Sequence, residues 1–125
     1  MKMKPIERNE EREERIAMEA IVDTYGSEEQ AMGWFCYLDE KIEFPFRAHC
    51  IEERRISPLR LREEVVVLGM ADEADCMHEM FVEVEWQGRH FGVPLAQVEA
   101  LDADDDSVEA IDDWKYWLKR GYQLV

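Results

Sequence analysis

Carboxylates are the side chains of this sequence best placed to do chemistry. Asp102-Ala103-Asp104-Asp105-Asp106 is the sharpest local pattern. Asp102, Asp104 and Asp106 stand at positions one, three and five, a spacing that lets a chain wrap hard oxygens around Ca²⁺, which takes about 6–8 of them. The EF-hand pattern then fails, because position six is Ser107 instead of Gly, position eight is Glu109 and position twelve is Asp113 instead of Glu. The same run also suits an acidic helix cap, since carboxylates favour the positive end of a helix dipole. A second acidic loop, Asp72-Glu73-Ala74-Asp75 with Glu79 close by, offers further oxygen ligands or simply a solvated turn. The third group is Asp39-Glu40 with Glu43, which the pattern below puts at a helix C-terminus. Acids there oppose the negative end of the dipole, a cost that a cation or a partner can offset. Lys41 offsets part of it locally.

Other chemistries have weaker support. His49-Cys50 and Cys76-Met77-His78 contain zinc-ligand types, but no CxxC or HxxxH pair accompanies them. Cys50 fits the apolar face of a strand, as an inert buried thiol would. No Gly-rich nucleophile turn and no phosphate loop is present, so no catalytic set is visible and the reading is not an enzyme. Arg8, Arg12 and Arg15 read as a solvated, ion-paired helix face.

The elements that must position these groups follow from periodicity. Ile6 to Thr24 reads as one helix, better striped in its second half and ended by Gly26. Ser27-Glu28-Glu29-Gln30 is a capping box that starts a second helix. Ala31, Trp34, Phe35, Leu38 and Ile42 share its apolar face, Gly33 weakens it modestly, and Phe44-Pro45 stops it. The period then changes to two. Phe44 to Cys50, Glu64 to Gly69, Glu79 to Trp86 and His90 to Val93 read as strands, with Gln87-Gly88 as a two-residue hairpin turn. Pro94 to Val98 reads as a short helical turn into a last strand. Ser107 to Leu118 or Arg120 reads as the last helix, capped by Asp106 with Glu109 completing a second capping box. Its inward face is Ile111, Trp114, Trp117 and Leu118, and Gly121 ends it. Lys115, Lys119 and Arg120 suit its negative end.

The expected fold is α+β: a small, half-open SH3-like antiparallel β-barrel with two N-terminal helices and one C-terminal helix. The chain is expected to be a single domain over residues 1–125. Residues 1–43 form a helical part, 44–101 the barrel, and 102–125 the acidic loop and C-terminal helix. At 125 residues and 46% apolar content it has material for a core.

Charge narrows the partners. The net charge is −15, from 15 bases and 30 acids. Residues 65–113 hold 14 acids and one base, Arg89, so they cannot neutralise themselves by local pairing and should attract cations. Such a surface repels nucleic-acid phosphates and anionic membranes. It favours a cation, a basic protein partner or simply solubility. No apolar run approaches the ~18 residues of a membrane helix. Residues 1–14 carry no signal-peptide core, and Cys36, Cys50 and Cys76 are too few and too irregular for a disulfide scaffold. All three observations point to the cytoplasm. The oligomeric state is left open.

Several phrases, taken together, resemble a known family. They are Ile21 to Trp34, Tyr37-Leu38-Asp39-Glu40-Lys41-Ile42-Glu43-Phe44-Pro45-Phe46, Ile56-Ser57-Pro58-Leu59 and Cys76 to Val82, continued by Gly92 to Val98 and Asp112 to Trp117. From about residue 10 onward the chain resembles the cyanobacterial-type, CcbP-like calcium-binding proteins, which lack EF-hands. The resemblance implies a cytoplasmic acidic protein that binds Ca²⁺ as a buffer or signalling component. It also implies a ligand role for the acidic pair of the Tyr-Leu-acid-acid-Lys phrase, here Asp39-Glu40. Asp72, Glu73, Asp75, Asp102, Asp104 and Asp106 enter as ligand candidates from charge and spacing alone. The competing class is an acidic SH3-like interaction module that binds a basic protein without a specific metal.

Overall fold

A computed structural model describes residues 6–124. Its first helix is shorter than the expected Ile6–Thr24. Helix α1 is Glu10–Arg15, and Asn9 caps it by accepting from the Arg12 N–H at 3.0 Å. The chain then widens into a π turn, Ile16–Ala20, closed by the Ile21 N–H on the Ile16 carbonyl at 3.0 Å. The wider turn delivers both Ile16 and Ala20 into the core. It also ends the element four residues early, at Ala20. Gly26 therefore has a different duty from the one expected, because it is the extended N-cap residue of helix α2, Ser27–Lys41. The Ser27 capping box does not form. No side chain caps α2, the Gln30 N–H bonds the Gly26 carbonyl at 2.9 Å, and Glu29 turns back to the Tyr25 N–H at 3.4 Å.

Helix α2 buries Ala31, Trp34, Tyr37 and Leu38, with Phe35 only half-buried, and ends where Ile42 takes an extended conformation. Five strands follow: β1 Phe46–Cys50, β2 Glu64–Met70, β3 Phe81–Trp86, β4 Arg89–Pro94 and β5 Val98–Ala100. They form one antiparallel sheet in the order β4-β3-β2-β1-β5. Its end strands β4 and β5 do not pair, so hydrogen bonding leaves the sheet open, and a short 3-10 turn, Leu95–Gln97, joins them. Burial alternates along β1 and β3 as the period of two requires, with Phe46, Ala48, Cys50, Val82 and Val84 inward. Gly69 does not break β2; the strand continues to Met70 and the register shifts between Val67 and Gly69. Gln87 and Gly88 both have positive φ, 49° and 77°, as a two-residue primed turn demands.

The last helix, α3, is Asp105–Lys119. Its apolar face meets α2 in an aromatic cluster: Trp34 stands edge-on to Trp114 at 5.1 Å, and Trp114 stacks on Trp117 at 5.6 Å. Trp86 lies outside that cluster, edge-on to Phe91. The bases near the C-terminus do more than meet a dipole. Lys115 donates to the Val98 carbonyl at 2.6 Å, tying α3 to β5, and Arg120 donates to the Ile6 carbonyl at 2.7 Å. Burial pushes the Lys115 ammonium pKa down. No helix among the described residues is long and apolar enough to cross a membrane.

Candidate metal centre

Helix α3 begins two residues earlier than its apolar pattern suggests, and this reassigns the loop carboxylates. The N-cap is Asp104, whose Oδ1 accepts the Ser107 N–H at 2.8 Å. Asp106, expected as the cap, is exposed inside the first turn. Asp102 is a clip: one oxygen accepts the Arg47 N–H at 2.6 Å and the other the Arg47 Nε–H at 3.1 Å, fastening the loop to β1. The one-three-five spacing is thus divided among a clip, a cap and a free carboxylate.

Hydrogen bonds from Ser107, side chain first and then backbone, hold the Asp104 carboxyl below the ordinary value of 3.8. Those from Arg47, backbone first, do the same for Asp102. A depressed folded-state pKa contributes stability that is present above the ordinary value and lost as pH falls through the lowered one. Asp104→Ala should therefore lower the apo melting temperature by a few degrees at neutral pH, and the gap to the parent should close as pH drops below about 3.8. Asp106→Ala should leave the apo melting temperature almost unchanged. Thermal unfolding of both variants across pH checks the assignment, and a larger loss in the Asp106 variant would overturn it.

Ser107 is wholly buried, and its Oγ accepts the Glu43 N–H at 2.8 Å across a separation of 64 residues. This bond joins the C-terminal end of α2 to the N-terminal end of α3. Asp39, Glu40 and Glu43 are all exposed at the α2 end, and Asp104, Asp105 and Asp106 are exposed at the α3 end. Two acidic runs far apart in sequence therefore share one junction. Lys41 is directed to Glu19 at 3.5 Å.

Asp75 lies in a 3-10 turn, Glu73–Cys76, with Asp72 as its N-cap residue, and both line a shallow groove of about 200 Å³ with Glu83, His90 and Gly92. Glu83 and His90 come from the β3–β4 pair, and sequence reading did not single them out for a site. Glu73 does not line this groove, and Glu79 is taken by Arg54, whose Nη1 reaches both carboxylate oxygens at 3.0 and 2.9 Å. Among the described residues, no three His, Cys, Asp or Glu side chains already converge as a metal cage. Two of the three thiols are engaged elsewhere: Cys50 donates to the Glu52 carbonyl at 3.2 Å, and Cys76 sits against Phe81, its pKa raised by burial.

The sequence matches a family model described as calcium binding, CcbP, over residues 14–118. The chain belongs to the CcbP calcium-binding family. Two solved structures share its fold. The crystal structure of Anabaena CcbP is 46% identical, with a TM-score of 0.86 over 96% of this chain and 98% of that one. A calcium-binding protein in its calcium-binding form is 45% identical, with a TM-score of 0.82 over 92% of this chain and 94% of that one. No curated protein sequence matches the chain. Calcium is the ion of the CcbP family.

In this CcbP-family chain the largest departure from the sequence reading is Asp113. It is wholly buried and accepts four hydrogen bonds: Arg12 Nη1 at 2.7 Å, Arg15 Nη2 at 2.7 Å and Nε at 2.8 Å, and the Tyr37 hydroxyl at 2.8 Å. Arg12 and Arg15 are thus not a solvated face. They lock α1 onto α3 through one carboxylate, and the bond to Asp113 raises the Arg15 pKa further. Burial, then the bond to Asp113, raises that of Tyr37. The partners lie about a hundred residues apart, and local spacing carried no signal of the pairing.

Proposed function

We propose that this protein binds Ca²⁺ at the α2–α3 junction, with Asp39 and Glu40 as principal ligands and Asp104 and Asp106 completing an oxygen shell with water. The observation that carries this reading is the Glu43–Ser107 hydrogen bond, which ties the two acidic runs together. The donor set fits the ion: residues 39–43 and 102–107 contain carboxylates, a hydroxyl and backbone carbonyls but no His or Cys. Both oxygens of Asp102 already accept from Arg47, so Asp102 shapes the loop in this reading. A cation here would also offset the conflict between the Asp39-Glu40 pair and the negative end of α2. Asp72 and Asp75, with Glu73 beside them, form a second and weaker place for the ion.

The acidic balance and the family suit a cytoplasmic calcium buffer or signalling role. We read the open sheet as a half-open SH3-like barrel, a reading supported by the four-stranded meander of β1 to β4 and the short turn that returns β5 to β1. Shallow sites with water in the shell should bind Ca²⁺ at about 10⁻⁶ M or weaker. Calorimetric titration tests the assignment. Asp39→Ala or Glu40→Ala should weaken Ca²⁺ binding about tenfold or more, and Mg²⁺ should compete poorly. Ca²⁺ should raise the melting temperature by mass action more than Mg²⁺ or matched NaCl does. Unchanged titrations in both variants, alongside a loss in Asp75→Asn, would move the ion to the Asp72–Asp75 groove. Equal thermal shifts with all three salts would reduce the effect to screening.

A further inference from the structure

The face at the start of α2 carries a feature that the calcium site does not use. An open groove of about 760 Å³ runs beside the first three turns of the helix. Val22, Tyr25, Met32 and Cys36 line its apolar part, and Glu28 and Glu29 line its rim. Tyr25 is 87% exposed and Val22 46%, and Met18, four residues before Val22, is 65% exposed. An aromatic ring held almost wholly in water contributes nothing to folding by burial. Its cost is offset when a partner covers it. Neither Glu28 nor Glu29 is in an ion pair among the described residues, so the rim presents uncompensated negative charge.

We propose that this groove docks a basic amphipathic helix of a partner protein, its apolar stripe on Val22, Tyr25 and Met32 and its lysines or arginines against Glu28 and Glu29. Charge complementarity selects the occupant: an apolar trough with an acidic rim rejects an acidic helix and favours a basic one. Methionine in the floor adapts to different apolar side chains. The groove flanks α2 from Ser27 to Cys36, and the calcium junction follows one turn later with none of the groove-lining residues among its ligands. Docking therefore does not require Ca²⁺.

The test uses the full chain in excess EDTA, so that the calcium assignment has no bearing on the result. The probe is a synthetic Lys/Leu helix with leucines at i, i+3, i+4 and i+7, compared with a scrambled peptide of the same composition and with its Glu/Leu counterpart. Calorimetry should detect binding of the amphipathic basic peptide alone. Tyr25→Ser should weaken it about tenfold or more, while melting temperature stays at that of the parent. Glu28→Lys should weaken it more than Glu53→Lys, an equal charge change at an exposed position off the groove. Equal binding of the scrambled peptide, or Tyr25→Ser and Glu28→Lys variants that bind like the parent, would overturn the proposal as diffuse attraction to an acidic surface. Self-association in sedimentation velocity that Tyr25→Ser dissolves would also overturn it, by giving the face to a second copy of the chain.

Discussion

Asp113→Ala is expected to cost about 3–5 kcal/mol of stability, the loss typical when one partner is taken from a buried charge network. The substitution leaves the Arg15 and Arg12 guanidinium groups facing a site with no carboxylate, and it leaves the buried Tyr37 hydroxyl without an acceptor. Arg15 and Arg12 keep part of their surface in water, 16% and 28% of the side chain, which favours the lower half of that range. Asp113→Asn retains the shape and one oxygen, and should lose less. The network is not irreplaceable in energetic terms, because an apolar set of similar volume avoids the desolvation of three charges. Asp113→Leu with Arg15→Met should therefore recover a large part of the loss seen in Asp113→Leu alone. Urea unfolding of the single and double variants reads both effects from the shift in midpoint. An Asp113→Ala midpoint within error of the parent would show that the four hydrogen bonds contribute little. Calcium affinity should be unaffected as long as α1 stays docked.

Gly33→Ala should destabilise by roughly 3 kcal/mol, the upper end of the range for overpacking a closely fitted contact. Helix propensity argues the other way, since Ala is better than Gly inside a helix by about 1 kcal/mol. Sterics win here. A Cβ built on Gly33 overlaps the Ala20 carbonyl oxygen, a backbone atom that cannot rotate aside. The π turn would have to lift from α2, taking the buried Ile16 and Ala20 with it. Gly69→Ala is the control. Its Cβ meets nothing within 4 Å and the strand gains propensity, so its unfolding midpoint should match or slightly exceed the parent's. A Gly33→Ala protein more stable than the parent would show that the helix–turn approach is soft.

Much of the fold was legible in the sequence because its signals are local. The span of α2, the tryptophan face of α3, the Gln87-Gly88 turn and the alternation of β1 and β3 all depend on residues within a few positions of one another. The family phrases were legible for the same reason, and with them the ion. What tertiary structure alone decided involves partners distant in the chain. The sequence pattern put the cap of α3 at Asp106, with Glu109 three residues on, whereas the folded chain caps it at Asp104, with Ser107 three residues on. The choice follows from Ser107. Its hydroxyl is buried to receive the Glu43 N–H, so it must lie inside the first turn, and that makes Asp104 the cap. The same bond joins the C-terminal end of α2 to the N-terminal end of α3, a contact that no periodicity contains. Arg12 and Arg15 read as a surface face because helical spacing reveals which residues share a side, not what that side meets. Asp113 supplies the answer from about a hundred residues away. Gly33 looked like a small local cost for the same reason. Propensity measures a residue against its own helix, and the atom that requires glycine there is the Ala20 carbonyl oxygen of the neighbouring turn.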